Sequence, residues 1–323
     1  MSEFDLIRRL RQIISTGPPG GRRSCVIGIG DDAAVLAVPP DKQLVVTTDT
    51  LVEGVHFRPK TPASDLGHKA LAVNLSDLAA MGAEPAWFLL ALTVPALDSA
   101  WLDSFAKGMA KLAGDAGIEL AGGDTTAGPL SVTITALGLV ESGQALTRSG
   151  ARERDLVVVS GVPGEAAFAC KSLAGGIKPD AAARRALDRP IPRLELGRRV
   201  RRLATSCIDL SDGLLADLGH ILRASGKGAE IELERLPGSA CLDGLEEPER
   251  LQLQTAGGDD YELCFTVPPE RVGELELIAQ ESGTGLTVIG KITASQELLC
   301  KAGDGAVYCP PGRGYEHFIE GSQ

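Results

Sequence analysis

The sequence predicts an α/β or α+β protein built from two domains. Three observations carry this. Apolar strand-like runs alternate with amphipathic helical ones along the chain. A length of 323 residues makes two domains the natural expectation. Glycine is frequent, at 39 residues, while aromatic residues make up only 4%, which suits many tight turns between small-residue elements.

Residues 3–14 place Phe4, Ile7, Leu10 and Ile14 on one helical stripe, and residues 18–24 form a loop. A strand is expected at 44–48, ending at Asp49. A helix follows at 64–81, with Ser64 as N-cap and Gly82 just beyond its end. Strands at 86–94, 118–121 and 130–140 surround a helix at 99–116 that Gly117 closes. The polar, turn-rich stretch 141–155 marks the junction between a first domain, 1–145, and a second, 146–323. The second domain opens with a strand at 156–160 and a helix at 163–174. Residues 175–192, rich in Gly, Pro and Arg, cross the surface. Helices at 193–204, 213–225 and 270–282 and strands at 229–234, 261–267 and 286–291 complete the alternation. Strand order is not legible. One internal echo leaves an ancient duplication open: Leu-Ser-Asp77 precedes Gly-Gly-Asp124 at the spacing at which Leu-Ser-Asp212 precedes Gly-Gly-Asp259.

An apolar content of 44% and a charged content of 23% describe an ordinary globule. The net charge of −11 disfavours nucleic acid and anionic membranes, since no positive field attracts phosphate backbones. ATP remains possible if divalent cations bridge the charges. Seven widely spaced cysteines without a C-x-x-C pair read as reduced thiols of a cytoplasmic protein. The N-terminus reads as an amphipathic helix rather than a signal peptide, and no apolar run is long enough to span a membrane.

Function is signalled by aspartates on Gly- or Ser-flanked segments. Asp32 lies in Gly28-Ile-Gly-Asp-Asp-Ala33, Asp49 in Thr47-Thr-Asp-Thr50 and Asp77 in Asn74-Leu-Ser-Asp77. Asp124 lies in Gly122-Gly-Asp-Thr-Thr126, and Asp209 and Asp212 in Ile208-Asp-Leu-Ser-Asp-Gly213. Gathered carboxylates repel unless cations neutralise them, and hard oxygen ligands suit Mg²⁺ and hence phosphate chemistry. Each motif has a plainer reading. Asp77 can face solvent, Thr47 to Thr50 can cap a helix, Gly-Gly-Asp can mark a turn, and Ser211 or Asp212 can cap the helix after 213. The first motif fits G-x-G-x-x-A, yet two carboxylates in that loop would repel a pyrophosphate. Arg148 is a candidate phosphate clamp, and His56 can orient a substrate or take a proton. P-loop, protein-kinase and α/β-hydrolase signatures are absent.

These motifs, together with the block Lys69-Ala-Leu-Ala-Val-Asn-Leu-Ser-Asp-Leu-Ala-Ala-Met-Gly-Ala83 and with Asp260-Tyr-Glu-Leu-Cys-Phe265, resemble the thiamine-monophosphate kinase family from about residue 4 to Phe318. The resemblance implies the fold of aminoimidazole-ribonucleotide synthetase, with N-terminal halves pairing in a homodimer. It implies transfer of the γ-phosphoryl group of ATP to thiamine monophosphate. Asp32, Thr47, Thr48, Asp49, Asp77, Asp124, Asp209 and Asp212 correspond to Mg²⁺ ligands. Gly122, Gly123, Arg148 and Ser211 correspond to ATP contacts, and His56, Asp259 and Tyr315 to thiamine-phosphate contacts. The family often carries Glu where this chain has Asp259, which implies a shorter or water-bridged contact. No motif fixes the aromatic nucleotide contact expected near Phe105 to Lys107. No general base is assigned, because the acceptor is already a phosphate anion. The rivals are another ATP-dependent synthetase of this fold and a non-catalytic thiamine-phosphate or divalent-ion sensor.

Overall fold

The structure, a computed structural model, describes residues 3–14, 25–310, 312, 314 and 315, without the side chains of 3–6. The expected loop at 18–24 and the stripe residue Phe4 lie outside what is described. The chain divides into two compact units, Met1–Leu78 with Ala83–Ala145 and Ala79–Gly82 with Leu146–Gln323.

The first unit begins with α1 (Glu3–Ile14) and the short antiparallel pair β1 (Cys25–Ile27) and β2 (Val35–Leu36). Then come β3 (Lys42–Val52), α2 (Ala63–Ala80), β4 (Glu84–Val94), α3 (Ser99–Ala116), β5 (Glu119–Ala127) and β6 (Ser131–Glu141). The sheet order is β3-β6-β4-β5, antiparallel except for β4 and β5, which α3 joins as a crossover. One sheet face is built from Ile134, Phe88, Leu90 and Leu92, all buried. Leu71, Leu75 and Leu78 of α2 and Phe105 and Met109 of α3 are also buried. Asp98 starts α3 by accepting the N–H groups of Ala100 and Trp101.

The second unit runs β7 (Leu156–Ser160), α4 (Glu165–Ala174), α5 (Ala181–Asp188), α6 (Leu194–Val200), β8 (Ser206–Asp209), α7 (Leu214–Ser225) and β9 (Gly228–Glu232). It continues with α8 (Glu247–Ala256), β10 (Leu263–Val267), α9 (Leu275–Ser282), β11 (Leu286–Thr293), β12 (Leu298–Lys301) and β13 (Val307–Tyr308). The sheet order is β13-β12-β9-β11-β7-β10-β8, with β9 and β12 the parallel pair. Val157, Val159 and Ile208 pack with Leu214, Leu218 and Ile221 of α7, while Val158, Phe265 and Leu263 pack with Leu196 and Val200 of α6. Helices thus cover both faces.

Several expectations shift. The strand expected at 44–48 continues to Val52, so Asp49 is mid-strand, and the strand expected at 118–121 runs through Gly122-Gly-Asp. Long strand pairing overrides the turn preference of these residues. The helices α5 and α8 and the strands β1, β2, β12 and β13 are additional. The helix expected at 193–204 stops at Val200, and that at 270–282 begins as a 3₁₀ turn. The echo is not structural: Asp77 is inside a helix and Asp212 precedes one, while Asp124 is inside a strand and Asp259 lies between α8 and β10.

Candidate active site

In the first unit, the pleat of β3 turns Thr47, Asp49 and Leu51 to one side and Thr48 and Thr50 to the other. Asp77 on α2 accepts a hydrogen bond from the Thr47 hydroxyl and so joins the Asp49 side. Burial first, and then the Asp77 charge, push the Asp49 carboxyl up to about 6. Two carboxylates that repel one another, with a hydroxyl beside them, suit a hard divalent cation. Among the described residues no three His, Cys, Asp or Glu side chains form a ready cage. Mg²⁺ usually takes one or two carboxylates and completes its shell with water and substrate phosphates, so the pair fits that ion.

Thr48 turns away. Its hydroxyl donates to the Ile134 carbonyl at 3.1 Å and pairs with the Thr135 hydroxyl at 3.0 Å. Register places Thr50, Thr133, Ala91 and Asp124 along one row and Asp49, Ile134, Leu90 and Gly123 along the next. Asp49 and Asp124 therefore lie on opposite faces, three strands apart in the order, or about 14 Å. Within one copy, Thr48 and Asp124 are separated from Thr47, Asp49 and Asp77. Gly122 and Gly123 sit in β5. At Gly123 φ is 154°, and a Cβ would lie 1.9 Å from the Leu90 carbonyl oxygen, so glycine is required there.

Asp32 occupies an exposed turn, its N–H donating to the Asp31 carboxylate at 2.9 Å. His56 Nδ1 accepts the Val52 N–H at 3.0 Å, so a neutral ring carries its proton on Nε2. Phe105 is fully buried and stacks on Trp101, which removes it as a nucleotide contact, while Lys107 is exposed.

In the second unit, β8 ends at the buried Asp209. The chain then turns through Ser211-Asp212-Gly213 into α7. Asp217, inside that helix, accepts the N–H groups of Ser211, Asp212 and Gly213 at 3.0, 3.0 and 3.1 Å. These bonds hold the loop that leads into α7, whose N-cap residue is Gly213 rather than Ser211 or Asp212. Burial and the Asp212 charge push the Asp217 carboxyl up to about 7 against these three bonds. Nothing in the sequence distinguishes Asp217, since acidic residues are common in first helical turns.

Asp259 has φ 72°, donates its N–H to the Ser211 carbonyl at 2.9 Å and accepts the Tyr261 hydroxyl at 3.0 Å. The Tyr315 N–H donates to the Asp212 carbonyl at 3.0 Å, and the side chain stays exposed. Gly314, at φ 143°, permits this, because a Cβ there would lie 2.5 Å from that of Ala216. A cavity of about 1030 Å³ beside α7 is lined by Asp212, His220, Arg223, Tyr308 and Tyr315, among others. Burial, Arg223 and Arg148 lower the His220 pKa while Asp212 opposes them. The second unit therefore groups Ser211, Asp212, Asp259 and Tyr315, with Arg148 nearby.

Residues 30–140 match the AIR synthase related protein N-terminal domain, and residues 153–301 match its C-terminal domain. The thiamine-monophosphate kinase of Escherichia coli (strain K12) is 46% identical over 323 aligned residues, covering 98% of each chain. The chain belongs to the thiamine-monophosphate kinase family. Among solved thiamine-monophosphate kinases, the structure from Stenotrophomonas maltophilia K279a matches with a TM-score of 0.86 and 43% identity, covering 95% of this chain and 98% of that one. A structure of AaThiL complexed with AMPPCP and TMP matches with a TM-score of 0.77 and 29% identity, covering 98% and 97%. The two-unit α/β architecture is therefore that of the thiamine-monophosphate kinase family and of AIR synthase related proteins.

Proposed function

We propose that the protein transfers the γ-phosphoryl group of ATP to thiamine monophosphate, giving thiamine diphosphate and ADP. The observation that carries this is the 46% identity to the Escherichia coli thiamine-monophosphate kinase over 98% of both chains. Two polyanions must approach, so catalysis is chiefly positioning and charge neutralisation. Mg²⁺ ions held by Asp32, Asp49 and Asp77 of the first unit and by Asp209 and Asp212 of the second would neutralise phosphate charge and stabilise the transferring phosphoryl group. The Thr47 hydroxyl holds Asp77 in place for that role. Gly122 and Gly123 let the nucleotide approach the main chain, and Arg148 and Ser211 bind its phosphates. His56, donating from Nε2, binds the substrate phosphate, while Asp259 and Tyr315 face the cationic ring system. No side chain is needed to deprotonate the acceptor.

The working form in this reading is a homodimer in the cytoplasm. Leu44 and Val46 stand exposed on β3, and β3 and β5 are the two free edges of their sheet. A twofold that sets β3 of one copy beside β5 of the other closes both edges. It also brings Asp124 of the partner subunit toward Thr48, which shares its face. The test of the activity is a coupled ADP-release assay across acceptors. ADP release that depends on thiamine monophosphate and not on thiamine or an amide supports the reading. Release indifferent to the acceptor contradicts it.

A further inference from the structure

The segment Asp260-Tyr-Glu262 takes no part in the chemistry above, yet it is held at unusual cost. Asp259 and Tyr261 both have positive φ, 72° and 52°, and neither is glycine. Such strain persists only where the surroundings over-determine it, and it clusters at ligand sites. Here the surroundings do so on every side. The N–H groups of Asp259 and Tyr261 donate to the carbonyls of Ser211 and Leu210 at 2.9 and 2.8 Å. Both carboxylate oxygens of Asp260 accept the Gly164 N–H, at 3.0 and 2.9 Å, at the start of α4. Glu262 pairs with the Arg193 guanidinium and accepts the Ser160 hydroxyl. The backbone around Asp259 is therefore fixed. The buried ring of Tyr261 brings its hydroxyl to Asp259 Oδ1 at 3.0 Å.

We propose that Tyr261 is a positioning residue that fixes the Asp259 carboxylate for the cationic substrate ring. This rests on the reading of Asp259 as a contact to thiamine monophosphate. Aspartate is one methylene shorter than glutamate, so its reach depends on which way the carboxylate turns. A hydroxyl donor selects one orientation before substrate arrives and lowers the ordering cost of binding.

The test is steady-state kinetics on Tyr261→Phe, Asp259→Asn and the double variant. Tyr261→Phe keeps the packed ring and removes only the donor. It should raise KM for thiamine monophosphate about three- to tenfold, with kcat and KM for Mg²⁺-ATP within about twofold. Asp259→Asn should raise the same KM, and the double variant should add nothing further. The proposal is overturned if Tyr261→Phe leaves that KM unchanged, if both substrates' KM values rise together, or if its effect persists when Asp259→Asn is already present. If Asp259→Asn itself leaves KM unchanged, the substrate reading of Asp259 fails and the positioning role falls with it.

Discussion

The Tyr315 N–H donates to the Asp212 carbonyl oxygen at 3.0 Å, which ties the C-terminal tail to the loop that starts α7. The phenol is 48% exposed and lines the cavity beside that helix. A flat cationic thiazolium stacked on this ring gains on the order of 1 kcal/mol. Tyr315→Ala should therefore raise KM for thiamine monophosphate about five- to tenfold and leave that for ATP nearly constant. Tyr315→Phe keeps the ring face and should be mild. Equal losses for both substrates would make the tail structural only.

Asp77→Asn keeps the size of a carboxylate that sits beside Asp49 and removes its charge. We expect kcat to fall about a hundredfold or more with the fold intact. Thr47→Val removes the hydroxyl that donates to Asp77 and should cost less, about tenfold. Near-normal turnover of Asp77→Asn at moderate Mg²⁺ would sink the assignment of this pair.

The Asp49 carboxyl titrates at about 6 in the folded protein, against about 3.9 unfolded. The raised value means that its stabilising contribution is fully present below the unfolded pKa and is lost as pH rises through about 6. Asp217, raised to about 7, acts with the same sign over a slightly higher window. Metal-free protein should thus lose Tm from these two groups as pH climbs through that range. Mg²⁺ neutralises the ionised Asp49–Asp77 pair, so it should raise Tm more at about pH 7.5 than at about pH 5.5. Thermal melts with chelator and with saturating Mg²⁺ decide this, and equal shifts at both pH values would argue against a metal at Asp49.

Val46 is 56% exposed on the β3 edge strand. If β3 closes a sheet with β5 of a second copy, Val46→Lys should turn a dimer into a monomer in sedimentation and reduce turnover as well, because Asp124 of the partner subunit is then lost. A fully active Val46→Lys monomer would contradict a shared metal site.

Much of the fold was legible because periodicity is strong where burial is one-sided. α3 was readable with Gly117 as its stop, β6 from its alternation and α2 from the stretch that Gly82 ends, while Ser64, expected as the N-cap of α2, lies inside that helix, which begins at Ala63. What was hidden had a physical reason. β3 and β5 carry Thr, Asp and Gly through their middles, so turn chemistry masked strands held by their neighbours' ladders. α8 shows a weak apolar stripe, and α5 lies in a segment whose Arg, Gly and Pro read as surface loop. Site chemistry was legible as residue type: acids, hydroxyls and glycines in short motifs. Which acids meet was not, because faces follow from register, and register separates Asp124 from Asp49 while it joins Thr47 to Asp77. Asp217 and Tyr261 escaped notice for a related reason, since each acts through a neighbour that the chain alone does not reveal.

The most direct test of the central claim follows the phosphorus itself. The protein is incubated with Mg²⁺, thiamine monophosphate and ATP labelled at the γ-phosphate, and the products are separated. Direct transfer predicts label in thiamine diphosphate, one equivalent per ADP formed, with no label in inorganic phosphate beyond the enzyme-free control. Label released as inorganic phosphate, or ADP formed without labelled thiamine diphosphate, would contradict it.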